Sequence, residues 1–236
     1  MNRCMKLGLA ALALLTVTPS FAEEIEPDRE GAVGWTPIAF GIASPVQIPW
    51  GHADWNVYGL DFNVLYSAAA KMYGLGIGGL GMLTTDDAGG LEVSGLLNWN
   101  MKDFYGVRAT LGANLCGGTV YGFEAGCFGY RNGLCGLDVE FLGSLQDDAV
   151  GMQIGGLANV TRGEFAGWSA TLGVNIAQVA YGLQTAGIFN MTEELHGFQI
   201  GVVNYAQECC WGCQIGVVNI IMSNCVKVLP IINFYF

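Results

Sequence analysis

Residues 199–204 and 214–219 both read QIGVVN, and the two copies lie 15 residues apart. A second pair, residues 109–114 and 170–175, reads ATLGAN and ATLGVN. Both pairs belong to a series in which glycine recurs every 14 to 16 residues, at Gly59, Gly74, Gly90, Gly106, Gly122, Gly136, Gly151, Gly167, Gly182, Gly197 and Gly212. Self-similarity at one short period is the sequence signature of a repeat architecture.

Each unit alternates in polarity after its glycine. The first, third and fifth positions are apolar, as in Leu60, Phe62 and Val64, whereas the second is polar in most units and the fourth is small. Alternation over six or more residues predicts a β-strand with two unlike faces. A helix is excluded because glycine at this frequency would cost about 1 kcal/mol for each residue. We therefore predict an all-β fold.

Two architectures fit a 15-residue period: an antiparallel up-and-down β-barrel of about 12–14 strands and a parallel β-solenoid. The barrel is favoured because aromatic residues before the glycines would form girdles at both rims. It is also favoured because four lysines are too few for a solenoid's outer surface, and because the last strand alternates up to Phe236. We predict the barrel and keep the solenoid as the alternative.

In a barrel, the second position after each glycine would face the lumen. The residues expected there are Asp61, Glu92, Arg108, Glu124, Asp138, Gln153, Gln184, Gln199 and Gln214. The acidic members would make the lumen negative and favour cations.

The N-terminus predicts export. Residues 1–22 have a basic start, an 11-residue apolar run and Ser20-Phe21-Ala22, the pattern of a cleaved signal peptide. We expect a short acidic flexible N-terminus at 23–35 and a β-repeat barrel domain at 36–236. The expected location is the outer membrane or the cell surface.

Composition indicates an apolar partner. Charged residues are 12 % of the chain, about half the usual quarter, while apolar residues are 52 %. Such a chain cannot cover its whole surface with charge, so membrane lipid is the expected partner. No segment after the signal reaches 18 continuous apolar residues, so no transmembrane helix is expected. Without the signal the net charge is −13 and no basic stripe is present, which argues against nucleic acid.

The sequence carries no recognisable catalytic, cofactor-binding or metal-binding motif. Gly74, Gly76 and Gly79 match a dinucleotide pattern by letters, but the repeat explains them. Seven cysteines follow the signal, and the Cys-x-x-Cys pair among them lacks the βαβ context of a redox motif. Cys210 and Cys225 lie one period apart, at opposite ends of a barrel, and are expected not to form a disulfide. We predict that the protein is not an enzyme.

The terminal runs GFQIGVVNYA, GCQIGVVNII and VLPIINFYF resemble a family of bacterial surface-repeat proteins best known from spirochaetes. Units of that family typically read GLQIGLVN and end in a PIINF-like strand. Residues 44–48 and 57–60 also resemble the family's opening, so the resemblance covers roughly residues 36–236. It implies a repeat protein at the cell surface without catalytic residues, and the family is largely uncharacterised.

The leading functional expectation is an outer-membrane or surface β-barrel, either structural or a narrow passive pore. The terminal Phe236 also resembles the signal of outer-membrane barrels, which implies the barrel-assembly machinery as a partner. The competing expectation is a secreted or surface β-solenoid that acts as an adhesive binding module.

Overall fold

The structure is a computed structural model that describes residues 34–50 and 52–235. The predicted signal peptide, residues 23–33 of the acidic N-terminus and Phe236 lie outside the described residues. The prediction of an all-β fold is confirmed. The described residues form one short 3-10 turn at His52–Asp54 and fourteen strands: β1 Gly34–Ala43, β2 Val46–Ile48, β3 Trp55–Ala69, β4 Lys71–Gly78, β5 Gly81–Thr84, β6 Ala88–Ser94, β7 Leu97–Asn100, β8 Phe104–Thr110, β9 Ala113–Gly155, β10 Ala158–Thr171, β11 Val174–Ala186, β12 Phe189–Ile200, β13 Val203–Ile221 and β14 Val228–Tyr235.

The strands form a parallel β-solenoid. Strand β3 pairs in parallel with β4 through its first half and with β5 through its second half. Strands β4, β6 and β8 then stack in one parallel row, while β5, β7 and β9 stack in another. Each coil therefore consists of a longer strand, a two-residue turn, a shorter strand and a three-residue turn, as in residues 85–87 between β5 and β6. The longest strand, β9, passes around several of these corners without a break in pairing.

The prediction of an antiparallel up-and-down barrel is wrong. Neighbouring units run parallel and in register, for example Gln184 opposite Gln199 and Gln199 opposite Gln214. Period-two alternation is the same in a parallel and an antiparallel strand, so it could not decide between the two. The predicted strands near residues 36–43 and 228–236 exist as β1 and β14, but they lie at the two ends of the solenoid.

The recurring glycines form one continuous row along the solenoid. Ten of the eleven, all but Gly212, have positive φ angles between +108° and +148°. A Cβ on each of Gly74 to Gly212 would collide with the backbone carbonyl oxygen of the glycine one coil earlier. The row is thus required both by backbone conformation and by the close approach of adjacent coils.

The interior between the two strand rows is divided along each coil. Next to the three-residue turns lies an apolar strip that includes Phe104, Val120, Leu134, Phe165 and Leu195. Next to the two-residue turns the interior is polar, and its side chains are described below. The strip supplies the usual hydrophobic stabilisation, about 25 cal/mol for each Å² of apolar surface removed from water.

The two ends of the solenoid differ from its coils. At the N-terminal end, β1 pairs in parallel with β3, and the short strand β2 pairs antiparallel with β1. At the C-terminal end, β14 pairs antiparallel with β13. A reversed strand cannot continue the parallel stack, so β14 ends it. Its side chain Asn233 is fully buried.

Gly151→Ala should destabilise the fold by at least about 2 kcal/mol, because strain at a positive φ and overpacking each cost about 1–3 kcal/mol. The control is Val150→Ala, since Val150 is the preceding residue and its side chain is 56 % exposed on the outer wall. Denaturant midpoints followed by circular dichroism measure both variants. Equal midpoints for the two would contradict the role given to the glycine row.

Candidate functional site

A row of asparagines fills the polar part of the interior. The Nδ2 of Asn175 donates to the Oδ1 of Asn190 at 3.1 Å, Asn190 donates to Asn204 at 2.8 Å, and Asn204 donates to Asn219 at 2.8 Å. Each of the first three also donates to a backbone carbonyl beside the two-residue turn, as Asn190 does to Ile200 at 2.9 Å. The second bond satisfies a corner carbonyl that would otherwise be buried without a partner.

A parallel row of glutamines lies next to it. Gln199 Nε2 donates to Gln184 Oε1 at 2.9 Å, and Gln214 Nε2 donates to Gln199 Oε1 at 2.8 Å. These three side chains are at most 1 % exposed. Stacking at one coil spacing lets each buried amide bond to the same group in the next coil, which offsets the cost of removing it from water.

In the middle coils the polar rows become charged. Arg108 donates from Nε at 2.9 Å and from Nη2 at 2.7 Å to the same carboxylate oxygen of Glu124. Arg131 lies 2.9 Å from that carboxylate and 2.7 Å from Asp138. All four side chains are fully buried. Glu140 is buried beside them and accepts from Asn114 at 3.3 Å, where the asparagine row has a gap.

Buried carboxyl groups outnumber guanidinium groups here, so some of them retain protons. Burial, together with the nearby Asp138 and Glu124, raises the pKa of Glu140 to about 9. Burial also raises the pKa of Glu92 to about 7, against the opposing effect of Arg108. Burial of Arg131 lowers its pKa, but the carboxylates of Asp138 and Glu124 outweigh this and keep the guanidinium charged.

The nine residues expected to face a lumen all lie in this interior. Each is at most 1 % exposed and packs between the two strand rows. The structure brings Arg108, Glu124 and Asp138 into one cluster. It joins Gln184, Gln199 and Gln214 in one hydrogen-bonded row. Asp61 lies apart from the cluster and bonds to Asn63 and Ser67. The water-filled barrel lumen that they were expected to line is absent from the described fold, because the wall closes as a solenoid.

The outer surface is apolar along one edge. The two-residue turns each present a large apolar side chain to solvent, with exposures between 43 and 85 %. We call this set the apolar edge, and it comprises Leu65, Leu80, Leu96, Leu111, Phe141, Leu157, Leu172, Ile188, Val202 and Val217.

The turn backbone at the apolar edge is bonded from coil to coil. The amide of Leu96 donates to Leu80 at 2.8 Å, the amide of Leu157 to Leu142 at 2.8 Å, and the amide of Ile188 to Gly173 at 3.1 Å. These turns therefore do not present free N–H groups at the surface. A backbone satisfied in this way can enter an apolar medium without the cost of unpaired donors.

The opposite edge carries the exposed charge. Every charged side chain in the described part of the chain is either buried in the interior or located at or beside the three-residue turns. We call the second set the charged edge, and it comprises Asp54, Lys71, Asp86, Asp87, Lys102, Asp103, Asp147, Asp148, Arg162, Glu164, Glu193, Glu194, Glu208 and Lys227. The few exposed charged residues are therefore not spread over the surface but concentrated on one edge.

Aromatic side chains lie between the two edges. They occupy the position before the glycine. On adjacent coils, Tyr58 stacks on Tyr73 and Tyr105 on Tyr121, with ring centroids 6.0 Å and 4.9 Å apart. The expectation of a girdle at each of two rims is wrong, because all units run in one direction. The aromatic row comprises Tyr58, Tyr73, Tyr105, Tyr121, Tyr181, His196 and Trp211.

The seven cysteines of the described chain are all free thiols. The expectation that Cys210 and Cys225 do not form a disulfide rested on a barrel, which is not the fold, and it stays a prediction. Cys209 points into the interior, where burial raises the pKa of its thiol to about 11.

The comparisons with known proteins add no family. No family model, no curated protein and no solved structure matches the chain. Among the described residues, no helix has the length and apolar character needed to cross a membrane. The resemblance to bacterial surface-repeat proteins therefore stays an expectation.

Glu140→Gln should reduce the loss of stability between pH 7 and pH 9. The ordinary pKa of 4.5 means that Glu140 is ionised in the unfolded chain above pH 5, whereas the folded chain keeps the proton up to about pH 9. The unfolded state therefore binds fewer protons, and the free energy of unfolding falls as the pH rises through this window. The variant should lose up to about 2–3 kcal/mol less than the wild type, at about 1.4 kcal/mol for each pH unit.

The measurement is the urea midpoint at pH 7 and pH 9. Glu208→Gln, at the exposed charged edge, serves as the control and should behave as the wild type does. The buried thiols titrate in all three proteins, so their contribution cancels. Parallel pH profiles for the wild type and Glu140→Gln would show that Glu140 does not hold a proton in the fold.

Proposed function

We propose that the protein is an exported, non-catalytic β-solenoid that acts as an adhesive binding module and holds to a lipid surface through its apolar edge. The observation that supports this most strongly is the separation of exposed side chains. Apolar turns form one edge, charged turns form the other, and aromatic rings lie between them. Tyrosine and tryptophan prefer the boundary between hydrocarbon and water, so the order matches a bilayer surface.

The dimensions fit one leaflet. From the first apolar position after the glycine to the two-residue turn, the strand advances about five residues, or roughly 16 Å at about 3.3 Å for each residue. The hydrocarbon core is about 30 Å thick, so one leaflet supplies about 15 Å. This outward-facing apolar stretch of each coil is too short to cross a bilayer and long enough to enter one leaflet.

The energy is adequate for reversible attachment. Full burial of a leucine-sized side chain is worth about 1.5–3 kcal/mol, and the side chains of the apolar edge are between 43 and 85 % exposed. At roughly 1 kcal/mol each, the ten residues contribute on the order of 10 kcal/mol before the costs of association. At about 0.8 kcal/mol for each buried CH₂, a single myristoyl chain contributes a comparable amount, and its attachment is reversible.

The chain's repeat pattern and export signal support a location at the cell surface. The charged edge would remain in water, with its acidic side chains in excess over its basic ones. The cluster of Arg108, Glu124, Arg131 and Asp138 is sealed inside and has no part in this binding. The proposal assigns the adhesive role to the outer surface alone.

Vesicle flotation tests the proposal. The chain without residues 1–22 should float with neutral phosphatidylcholine vesicles, which remove any attraction by lipid charge. The variant Leu111→Glu with Leu172→Glu should lose most of this binding, because two charges enter the apolar edge where exposures reach 85 and 78 %.

The matched control adds the same two charges at the opposite edge, as Gln178→Glu with Gln207→Glu, and should float as the wild type does. Circular dichroism checks that both variants retain the β-fold. A folded wild-type chain that stays in the unbound fraction, or equal flotation of both double variants, would refute the proposal.

A further inference from the structure

At the C-terminal end of the aromatic row, three metal-ligating side chains from two adjacent coils converge. The Nε2 of His196 lies 2.8 Å from Oε1 of Glu194, and the Sγ of Cys210 lies 3.3 Å from the same oxygen. One ligand atom from each residue lies within 4.8 Å of the other two. The group is separate from the apolar edge, and of its three residues only His196 belongs to the aromatic row.

A local irregularity of the fold places the thiol there. Strand β13 pairs with β12 in register except between Leu195 and His196, where the register shifts. Leu195 lies opposite Cys209 and His196 lies opposite Trp211, so Cys210 is an inserted residue without a partner. Such a bulge redirects a side chain. It turns Cys210 outwards against Glu194 while Cys209 remains buried.

The imidazole is held in place by its neighbour. His196 occupies the aromatic position of its coil and stacks on Tyr181, with ring centroids 4.6 Å apart and planes 19° apart. Its side chain is 15 % exposed and that of Glu194 is 40 % exposed. The ring orientation is therefore fixed, and an ion has open access to the ligand atoms from solvent.

We propose that Glu194, His196 and Cys210 form a binding site for a divalent zinc ion. The combination of one nitrogen, one sulfur and one carboxylate oxygen suits zinc, with bond lengths of about 2.0–2.1 Å, 2.3 Å and 2.0–2.2 Å. Tetrahedral geometry at these lengths separates the ligand atoms by roughly 3.3–3.7 Å. To reach it, the Nε2–Oε1 contact of 2.8 Å must open by about 0.5–0.7 Å and the Sγ–Oε1 contact of 3.3 Å by about 0.2–0.4 Å. Three protein ligands leave the fourth position to water.

The proton balance of binding is simple. Zinc binds to the Cys210 thiolate, so the S–H bond breaks, the Zn–S bond forms, and one proton passes to solvent for each ion bound. His196 binds as neutral imidazole through Nε2, with its proton on Nδ1. No electron is transferred.

A second cluster of acidic side chains in the described structure is not proposed as a metal site. Glu124, Asp138 and Glu140 also lie close together, but the guanidinium of Arg131 is already placed among them at 2.7 Å from Asp138. A buried cation of the protein itself supplies the counter-charge there. The zinc proposal therefore concerns the partly exposed triad alone.

Cobalt(II) titration of the reduced chain without residues 1–22 tests the site. One equivalent should bind and give the near-ultraviolet charge-transfer band of a cobalt–thiolate bond, and added zinc should displace it. Cys210→Ser should abolish the band, and His196→Ala and Glu194→Gln should each weaken binding at least about tenfold. Cys210 is exposed, so its substitution leaves the core intact, and circular dichroism confirms the fold.

Cys213→Ser and Cys225→Ser are the matched controls, because both thiols belong to the same C-terminal group of cysteines. Each should keep the band and the affinity of the wild type. Absence of a thiolate band in the folded wild type, or loss of the band in either control with retention in Cys210→Ser, would overturn the assignment. Zinc should also raise the unfolding temperature of the wild type but not of Cys210→Ser.

Discussion

The fold depends on a hydrogen-bonding constraint inside the solenoid. Asparagine and glutamine amides between two strand rows must find partners there, because water does not reach them. In the C-terminal coils the partner is the same residue one coil away, as Asn204 is for Asn190 at 2.8 Å. A slip of one residue would turn every such amide to the outer wall and bring an apolar side chain in its place. The polar rows therefore fix the register, and the glycine row allows the coils to approach closely enough for these bonds to form.

The same constraint explains why the outside is apolar. Side chains alternate between the interior and the outer wall, so a unit that places Gln199 and Asn204 inside must place Phe198, Ile200 and Val202 outside. The exposed charged residues are then confined to the three-residue turns and the positions beside them. An amphipathic body results directly from a polar core, whereas an ordinary globular domain has the opposite arrangement. The proposed attachment to lipid uses a surface that the packing of the interior makes unavoidable.

Much of the fold was predictable from sequence, and the failure has a definite cause. The glycine period, the strands and the division into two faces follow from residues such as Leu60, Asp61 and Phe62. Parallel and antiparallel stacking give the same alternation of polarity. The decisive signal was the residue type: asparagine recurs at one position of the repeat, and only parallel, in-register coils bring these asparagines next to one another. Arg108, Glu124 and Asp138 of the charged cluster were foreseen as separate interior residues, whereas Arg131 was not foreseen there. Glu194, His196 and Cys210 could not be grouped, because a bulge of one residue sets their alignment, and sequence spacing does not reveal it.

The degenerate middle unit shows what happens when the amide pattern is interrupted. Between Gly122 and Gly136 the unit is 14 residues long and has no asparagine in the row. Two carboxylates, Glu124 and Asp138, then occupy successive coils of one row and would repel each other in a medium of low dielectric constant. Arg131, from the shorter strand of the same unit, lies between them at 2.9 and 2.7 Å, and Glu140 fills the gap in the asparagine row with its proton retained. Charge is thus tolerated in this interior on the same condition as the amides, namely that each group meets a complementary partner in an adjacent coil.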